Sequence, residues 1–247
     1  MLAKAPPFTI LDCVESTNNY AMGQVNSELS MDGSAWFAYE QTAGKGRRNK
    51  QWKADKGKNI TMSIAVNTSS IAVYRQFQIS VAIALACTDL FKKYTSVEAK
   101  IKWPNDIYLN DRKAGGILIE NILKGSVWQW CIIGTGININ QQVFDQELNK
   151  AISLFMITKK QTDVIEAAKL LQHLVIHRIE KVKGGEGVQQ LEEYNRILYK
   201  KNEQVKLKKG NITFDTTIKE VNAEGKLITT DVMERSFDFD EIEWIIT

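Results

Sequence analysis

The chain has 247 residues, of which 44% are apolar and 25% are charged, a balance typical of a folded globular protein and not of a disordered one. Its 32 basic and 29 acidic residues leave a net charge of +3, which is too small to indicate a nucleic-acid-binding protein. Any anion binding must therefore come from local clusters of basic residues.

Cys13, Cys87 and Cys131 are far apart and odd in number, which argues against a disulfide framework and against a CxxC zinc motif. The longest apolar run, residues 81–87, is far shorter than the roughly 20 residues that span a bilayer. Two prolines interrupt the N-terminal segment where a signal peptide would be apolar. We therefore expect a soluble cytoplasmic protein without a targeting segment.

The first part of the chain predicts a sheet and one short helix. Residues 8–14 form the first predicted strand, a further strand is predicted at 35–41, and alternating residues predict another at 59–66. The glycine-rich segment between these last two strands then joins two strands of one sheet. Three consecutive residues are candidate N-caps of a short amphipathic helix after the first strand: Ser16, Thr17 and Asn18.

The middle of the chain predicts one long helix at residues 74–94, apolar enough to be buried on most sides. Short runs separated by turn residues then predict adjacent, largely antiparallel strands, and two amphipathic helices follow them. The predicted strands are 99–103, 106–110, 115–122 and 127–139, and the predicted helices are 162–182 and 188–199.

After residue 200 the pattern changes to short alternating strands without a helical period. About 45 residues of this kind predict a small β-barrel that must pack against its neighbour, since so small a core is marginal alone. We therefore predict an α+β protein with two domains, a mixed sheet with helices at 1–200 and a C-terminal barrel at 201–247.

The segment "GKGRRNKQW", residues 44–52, is termed the glycine-basic loop. Gly44 and Gly46 give its backbone freedom, and an arginine such as Arg47 binds phosphate or carboxylate through parallel hydrogen bonds. The GxxxxGK[ST] spacing of a Walker A loop is missing. Two interpretations stay open on the loop alone: a mobile clamp for an anion, or a solvated hairpin.

The segment "KWPNDIYLNDRKAGGILIE", residues 102–120, holds a second group of candidate residues. Pro104 predicts a rigid corner from which Asn105 and Asp106 project, although such pairs are also common in simple turns. Lys113 stands beside two glycines, an order that suits close approach of a ring or a phosphate. A β-bulge is the alternative explanation of those glycines, and it is slightly favoured on this segment alone.

Other motifs give weaker signals. "GTGININ", residues 134–140, lacks the third glycine and the helix of a dinucleotide fingerprint, so a strand with close backbone approach fits better. His173 and His177 lie four residues apart, but no ligand set accompanies them, and we expect exposed helix residues and no metal site. The chain has no GxSxG elbow and no candidate for covalent nucleophilic catalysis.

Five motifs in a fixed order resemble those of the biotin protein ligases, also called biotin–[acetyl-CoA carboxylase] ligases. They are "ESTN", "QTAGKGRRNKQW", "KWPNDIYL", "KAGGILIE" and "GTGININ", and they extend from about Ser16 to Asn140. The resemblance implies a catalytic domain related to lipoate ligases and class II tRNA synthetases, followed by an SH3-like barrel. It also implies two half-reactions, in which ATP activates biotin to biotinyl-5′-AMP and a lysine of a carrier protein then accepts the biotin.

The resemblance also implies a role for each site residue. Arg47 corresponds to the loop arginine that closes over the intermediate, and Lys113 to the lysine that contacts the biotin carboxylate and the α-phosphate, so these two are the expected catalytic residues. The implied biotin-binding residues are Ser16, Thr17, Asn18, Gln41, Gly44, Arg47, Lys113, Gly115 and Gly116. The implied ATP- or adenylate-binding residues are Lys45, Arg47, Arg48, Trp52, Asn105, Asp106, Lys113 and Asn138.

The chain departs from the family pattern at two places. Asn49 and Lys50 replace a glycine and an arginine of the usual GRGRxGR loop, and we expect the loop to function because asparagine tolerates left-handed geometry. Only 15 residues precede Ser16, which leaves no room for the DNA-binding domain of bifunctional ligases. We therefore expect no binding to DNA.

The implied substrates are ATP and biotin, with Mg²⁺ inferred from the ATP chemistry. The implied partner is a biotin carboxyl carrier protein or a carboxylase domain, without a membrane, and the enzyme is expected to be a monomer or a homodimer. One alternative is a lipoate or octanoate protein ligase, which shares the fold and the acyl-adenylate chemistry. An alternative of another class is a non-catalytic module that binds nucleic acid or a carrier protein, with salt-dependent affinity in the nucleic-acid case.

Overall fold

The computed structural model describes residues 5–145 and 150–245, and its largest element is a seven-stranded mixed sheet in the order β1-β2-β3-β7-β6-β5-β4. The first two strands pair in parallel, and every other neighbouring pair is antiparallel. The strands are β1 (Phe8–Val14), β2 (Ala35–Gln41), β3 (Ile60–Asn67), β4 (Lys100–Lys102), β5 (Asp106–Leu109), β6 (Arg112–Lys124) and β7 (Val127–Ile137).

Five α-helices accompany the sheet in the described part of the chain. Twelve of the 19 residues of α2 are buried, and this helix packs against α4, α5 and the sheet, which explains its mostly apolar sequence. Asp163 caps α4 by accepting hydrogen bonds from the backbone N–H groups of Ile165 and Glu166. The helices are α1 (Thr17–Asn26), α2 (Gln76–Tyr94), α3 (Leu154–Thr158), α4 (Val164–Lys183) and α5 (Gly187–Arg196).

The C-terminal strands form a separate antiparallel sheet in the order β11-β10-β9-β8-β12. Its two end strands do not pair with each other in the described residues, so the predicted barrel is an open five-stranded sheet there. Its strands are β8 (Gln204–Lys209), β9 (Ile212–Val221), β10 (Leu227–Thr230), β11 (Glu234–Phe237) and β12 (Glu243–Ile245).

Aromatic residues join the C-terminal sheet to the larger one. The Trp103 indole N–H donates a hydrogen bond to the carbonyl of Gly225 at 2.9 Å. The ring of Phe239, which follows β11, stacks on Trp103 with the centroids 5.5 Å apart and lies 6.1 Å from the ring of Phe77. These contacts fix the segment between β11 and β12 beside the Pro104 corner.

The predicted α+β class is confirmed, with a mixed sheet, helices and a separate C-terminal sheet. The strands predicted at 8–14 and 35–41 have the observed bounds, whereas the five-residue helix α3 was not predicted. The division into domains at residue 200 stays a prediction. None of the described helices is both long and apolar enough to span a membrane.

Helices α2, α4 and α5 share one ion-pair network. Arg178 of α4 donates to a carboxylate oxygen of Asp89 on α2 at 2.8 Å and to both carboxylate oxygens of Glu193 on α5 at 2.6 and 2.9 Å. The Arg178 side chain is only 11% exposed. Its hydrogen bonds hold the pKa of Glu193 below the ordinary value of 4.5, so α2, α4 and α5 are held by charge as well as by apolar contact.

We predict that Arg178→Met lowers the free energy of unfolding at pH 7 by roughly 3 kcal/mol, because it removes the buried partner of two partly buried carboxylates. Asp89 and Glu193 then keep the more exposed Lys92, at 3.3 and 3.8 Å. Since the folded-state pKa of Glu193 is depressed, the stabilisation is present above the unfolded pKa of 4.5 and is lost as the pH falls through the folded value. Urea unfolding between pH 3 and pH 7 measures both effects.

The control is Lys169→Met, which removes an exposed ion pair to Glu166 on the same helix and should change stability by at most about 0.5 kcal/mol. The pH dependence of stability below 4.5 should be shallower in Arg178→Met than in the wild type. An equal loss of stability in the two variants, or unchanged acid sensitivity, contradicts the assigned role of Arg178.

Candidate active site

Two adjoining cavities lie beside the glycine-basic loop. The inner cavity, of about 60 Å³, is bounded by the start of α1, the end of β2 and strands β6 and β7. The outer cavity, of about 550 Å³, is bounded by the loop, the Pro104 corner and the C-terminal sheet. Five residues line both cavities: Gly46, Arg47, Trp52, Asn105 and Lys113.

A buried network of hydroxyl and amide groups surrounds the inner cavity. The backbone N–H and the hydroxyl of Thr17 donate to Oε1 of Gln41 at 2.8 and 3.0 Å. The hydroxyl of Ser63 lies 2.7 Å from that of Thr17 and 2.5 Å from Oδ1 of Asn18, and Asn18 donates to Glu120 at 2.7 Å. These contacts fix the orientation of each amide and hydroxyl before a ligand binds.

Ser16 supplies an unsatisfied polar atom at the same place. It is the N-cap residue of α1, it is 1% exposed, and its hydroxyl has no hydrogen-bond partner among the described residues. A buried hydroxyl without a partner is destabilising. A polar atom of a ligand in the inner cavity would satisfy it, because Ser16 lines that cavity.

Close backbone approach at "GTG" shapes the inner cavity, as the sequence predicted. The indole ring of Trp52 lies against Gly136, and the amide of Asn18 lies against Gly134, so that a β-carbon at either glycine would overlap these groups. The Lys113 amino group lies 5.9 Å from the centroid of the Trp52 ring. The Trp52 ring therefore contacts β7 at Gly136 and also lies near the Lys113 amino group.

A β-bulge determines the direction of Lys113. The pairing of β5 with β6 shifts between Ile107 and Tyr108, so that Ala114 has no partner of its own. Because side chains alternate along a strand, the extra residue places Lys113 on the same side of β6 as Gly116. The bulge that the sequence slightly favoured is confirmed, and it serves to aim the lysine.

An ion pair and a buried amide hold Lys113 and its strand. The amino group of Lys113 lies 2.7 Å from Oδ1 of Asp106, which faces Gly116 in the sheet register. The side-chain amide of Asn138 donates to the carbonyls of Lys113 and Ile152 at 3.3 and 3.1 Å. Asn138 thus holds the backbone of Lys113 in place, and Asp106 holds its amino group in place.

The glycine-basic loop is bound to the C-terminal sheet. Arg47 and Arg48 both donate to the same oxygen of Asp240, at 3.0 and 2.8 Å. The Arg47 guanidinium also lies 5.5 Å from the centroid of the Phe239 ring and donates to Asn105 at 3.5 Å. The left-handed backbone conformation of the loop falls on Arg48, with φ of 54°.

The remaining predicted residues take structural positions around the cavities. Lys45 lines the inner cavity and forms a longer ion pair of 3.7 Å with Glu120. Gly44 and Gly115 are outside the lining of both cavities. Gly44 packs on the carbonyl of Trp52, and Gly115 packs on β7, so their small size serves packing.

Sequence reasoning missed several residues that the fold brings to the site. Lys102 was visible in the "KWPND" motif, but its burial depends on contacts far along the chain. Asp240 and Phe239 come from the segment between β11 and β12, where no motif indicated them. Glu120 belongs to the hydrogen-bond network around the inner cavity, and Trp244 lines the outer cavity.

The described residues contain no group of three or more His, Cys, Asp or Glu able to hold a metal ion. His173 and His177 are exposed on α4, as the sequence predicted. The charged groups of the two cavities are thus mostly cations, with Asp106, Asp240 and Glu243 as their carboxylate partners.

The class of proteins to which this chain belongs is described as the Biotin/lipoate A/B protein ligase family. The family model matches residues 10–138, which is more than half of the chain, and the chain is a member of this family.

Among curated relatives, the bifunctional ligase/repressor BirA of Bacillus subtilis is 30% identical over 167 residues, covering 67% of this chain and 50% of BirA. The biotin–[acetyl-CoA-carboxylase] ligase of Mycobacterium tuberculosis is 28% identical over 164 residues, covering 64% of this chain and 59% of the ligase. The chain spans about half the length of the curated relatives it matches.

Solved structures share the fold over almost the whole chain. Biotin protein ligase from Aquifex aeolicus, solved in complex with biotin and ATP, superposes with a TM-score of 0.82 at 23% identity, over 98% of this chain and 99% of that one. The Leishmania major biotin protein ligase, in complex with biotinyl-5-AMP, has a TM-score of 0.65 at 22% identity, over 95% and 100% of the two chains.

We predict that Asp240→Asn loosens the glycine-basic loop, because two guanidinium groups lose the carboxylate that they share. Cleavage by trypsin after Arg47 or Arg48 should become about three- to fivefold faster, which corresponds to the loss of roughly 1 kcal/mol of surface electrostatic interaction. Mass spectrometry of the fragments during limited proteolysis measures the rate at each site.

The matched control is Asp238→Asn, which lies in the same segment and removes an ion pair to Lys226 of 2.8 Å. This control should leave cleavage at the loop unchanged. Equal cleavage rates in the wild type and in Asp240→Asn contradict the restraint of the loop by the C-terminal sheet.

Proposed function

We propose that this protein is a biotin protein ligase, which activates biotin with ATP and transfers it to a lysine of a biotin carboxyl carrier protein. The observation that carries the proposal is the position of Arg47 and Lys113, which line both a polar inner cavity and a wider cationic cavity. Relatives named as biotin ligases support the choice of acid.

The inner cavity suits the ring end of biotin. A cyclic urea presents two N–H donors and one carbonyl acceptor, and the cavity offers hydroxyl and amide groups of both kinds at Ser16, Thr17 and Asn18. The free hydroxyl of Ser16 gains its missing partner in such a complex. Gly116 and the Trp52 ring give the rest of the wall, against which the apolar part of the acid packs.

In the first half-reaction a carboxylate oxygen of biotin attacks the α-phosphorus of ATP, and the bond to the pyrophosphate breaks with its electron pair. Both reactants are anions, so their approach requires neutralisation by fixed cations. Lys113 supplies one cation, held by Asp106, and Arg47 supplies a second on the mobile loop. Positioning of the reactants and electrostatic stabilisation accelerate this step, and no covalent enzyme intermediate forms.

In the second half-reaction the amine of the acceptor lysine attacks the acyl carbon of biotinyl-5′-AMP, and AMP leaves with the bond electrons. Arg47 retains the adenylate during this interval because its guanidinium matches the phosphate through parallel hydrogen bonds. The closed loop also excludes water from the mixed anhydride. The glycines of the loop permit both opening and closing.

Magnesium, the usual companion of ATP, would be held mainly by the nucleotide phosphates. In the described part of the outer cavity, Asp106 is the one carboxylate beside Lys113. Its charge is already neutralised by Lys113, so it is not a free ligand for the metal. The steps above are therefore assigned to the chain's own side chains. A boundary at residue 200, a cytoplasmic location and the absence of DNA binding stay predictions.

The direct test of the proposal is formation of the acyl-adenylate. The purified protein is incubated with ATP and with biotin, lipoate or octanoate in separate reactions, and the adenylate is detected by mass spectrometry. Biotinyl-5′-AMP alone supports the proposal. A lipoyl or octanoyl adenylate assigns the protein to the lipoate branch, and no adenylate with any acid favours a binding module.

We predict that Lys113→Ala slows pyrophosphate release by roughly 100- to 1,000-fold, because the transition state loses a preorganised cation. Single-turnover kinetics with saturating biotin and ATP measure the rate. Lys93→Ala, an exposed lysine on α2, is the control and should react like the wild type. Wild-type kinetics in Lys113→Ala remove this residue from the mechanism.

We predict a different defect for Arg47→Gly. The adenylate forms, but it dissociates about tenfold faster or more, because the loop loses its charge-assisted contact with the phosphate. Dissociation of preformed biotinyl-5′-AMP into a chase of unlabelled ligand measures the rate. An unchanged rate contradicts the clamp function of the loop.

A further inference from the structure

Lys102 is a buried cation that the reaction described above does not use. It lies at the end of β4, is 9% exposed and donates one hydrogen bond to the hydroxyl of Tyr108 at 3.2 Å. An ammonium group has three donors. In the described part of the chain, no carboxylate lies within ion-pair distance of this amino group.

Aromatic rings supply only part of the missing stabilisation. The Lys102 amino group lies 5.1 Å from the centroid of the Tyr108 ring and 5.3 Å from that of Trp244, which belongs to the C-terminal sheet. Burial raises the pKa of the Tyr108 hydroxyl, so this group stays neutral and cannot serve as a counter-ion. A buried cation without a fixed anion is unfavourable unless an anion binds to it.

The location of Lys102 identifies the class of anion. Lys102 lines the outer cavity, which also contains Arg47, Arg48, Lys50, Lys53 and Lys113. Its partner across β4 and β5 is Asp106, the residue that holds Lys113. A chain of phosphates whose first member lies at Lys113 can therefore extend across two strands toward Lys102.

We propose that Lys102 binds the pyrophosphate portion of ATP, the leaving group of the adenylation step. The inference rests on the proposed function and deepens it, since it assigns a cation to the atoms that gain charge. As the bond between the α-phosphorus and the bridging oxygen breaks, the electron pair moves onto pyrophosphate. Lys102 donates hydrogen bonds to that developing charge, whereas Lys113 serves the phosphate that stays with biotin.

The ionisation of Lys102 agrees with this geometry. Burial lowers the pKa of Lys102 to about 8, an effect that nearby Asp106 opposes. The nearby cations also lower the pKa of Lys102; they are Lys113, Lys50 and Lys150. A bound phosphate adds negative charge and raises the pKa again, so the amine is fully protonated in the complex.

The test compares Lys102→Met, which keeps a long side chain but removes the charge, with Lys102→Arg, which keeps the charge. Lys100→Met on the same strand is the control, because Lys100 is more exposed and pairs with Glu98. The measured quantities are the pyrophosphate concentration that half-saturates the reverse reaction, the forward adenylation rate, and biotin transfer from synthetic biotinyl-5′-AMP.

We expect Lys102→Met to require roughly 10- to 100-fold more pyrophosphate and to slow adenylation by a similar factor, as for loss of hydrogen bonds from a charged group. Transfer from synthetic biotinyl-5′-AMP should stay near the wild-type rate, and Lys102→Arg should recover most of the pyrophosphate affinity. An equal decrease in both half-reactions, or unchanged pyrophosphate affinity, overturns the proposal.

Calorimetry with inorganic pyrophosphate keeps the test independent of biotin. Wild type and Lys100→Met should bind pyrophosphate with similar affinity, and Lys102→Met should bind it about tenfold more weakly or worse. Equal binding to all three overturns the assignment of Lys102, whatever acid the enzyme activates. If Lys102→Met does not fold, as judged by thermal unfolding, Lys102→Gln replaces it in both experiments.

Discussion

The direction of Lys113 depends on one extra residue in β6, and the site depends on that direction. Ala114 interrupts the alternation of side chains, so that Lys113 and Gly116 share a side of the strand and the lysine meets Asp106 at 2.7 Å. Without the bulge, Lys113 would face the opposite side of the sheet. A backbone irregularity thus places a fixed cation at the junction of the two cavities.

The second cation of the junction, Arg47, lies on the glycine-basic loop, and the proposed chemistry explains why one cation is on a strand and the other on a loop. In the proposed reaction a fixed lysine orients the two anions, whereas an intermediate that is sensitive to water requires a cover that can open. Arg47 lies on a glycine-containing loop, and Asp240 of the C-terminal sheet restrains that loop in the observed position. The C-terminal part of the chain thus contributes to the site directly, through Phe239 and Asp240 between β11 and β12 and through Trp244 of β12.

Local sequence predicted most of the elements and the two central cations. The residues at 8–14 and 35–41 predicted the bounds of β1 and β2, and the glycines beside Lys113 indicated the bulge, since both are properties of neighbouring residues. The open form of the C-terminal sheet and the short helix α3 depend on tertiary packing and were not foreseen. The burial of Lys102 depends on Trp244, which lies more than half the chain away, so its motif alone could not reveal it.

The most direct measurement is a crystal structure with a non-hydrolysable analogue of biotinyl-5′-AMP. We expect the bicyclic ring in the inner cavity near Ser16 and Asn18, and the phosphate within hydrogen-bond distance, about 3 Å, of the Lys113 amino group. Arg47 should exchange Asp240 for the phosphate as the loop closes. An analogue bound elsewhere, or a phosphate that contacts neither Lys113 nor Arg47, would contradict the proposal that these two cations bind the adenylate.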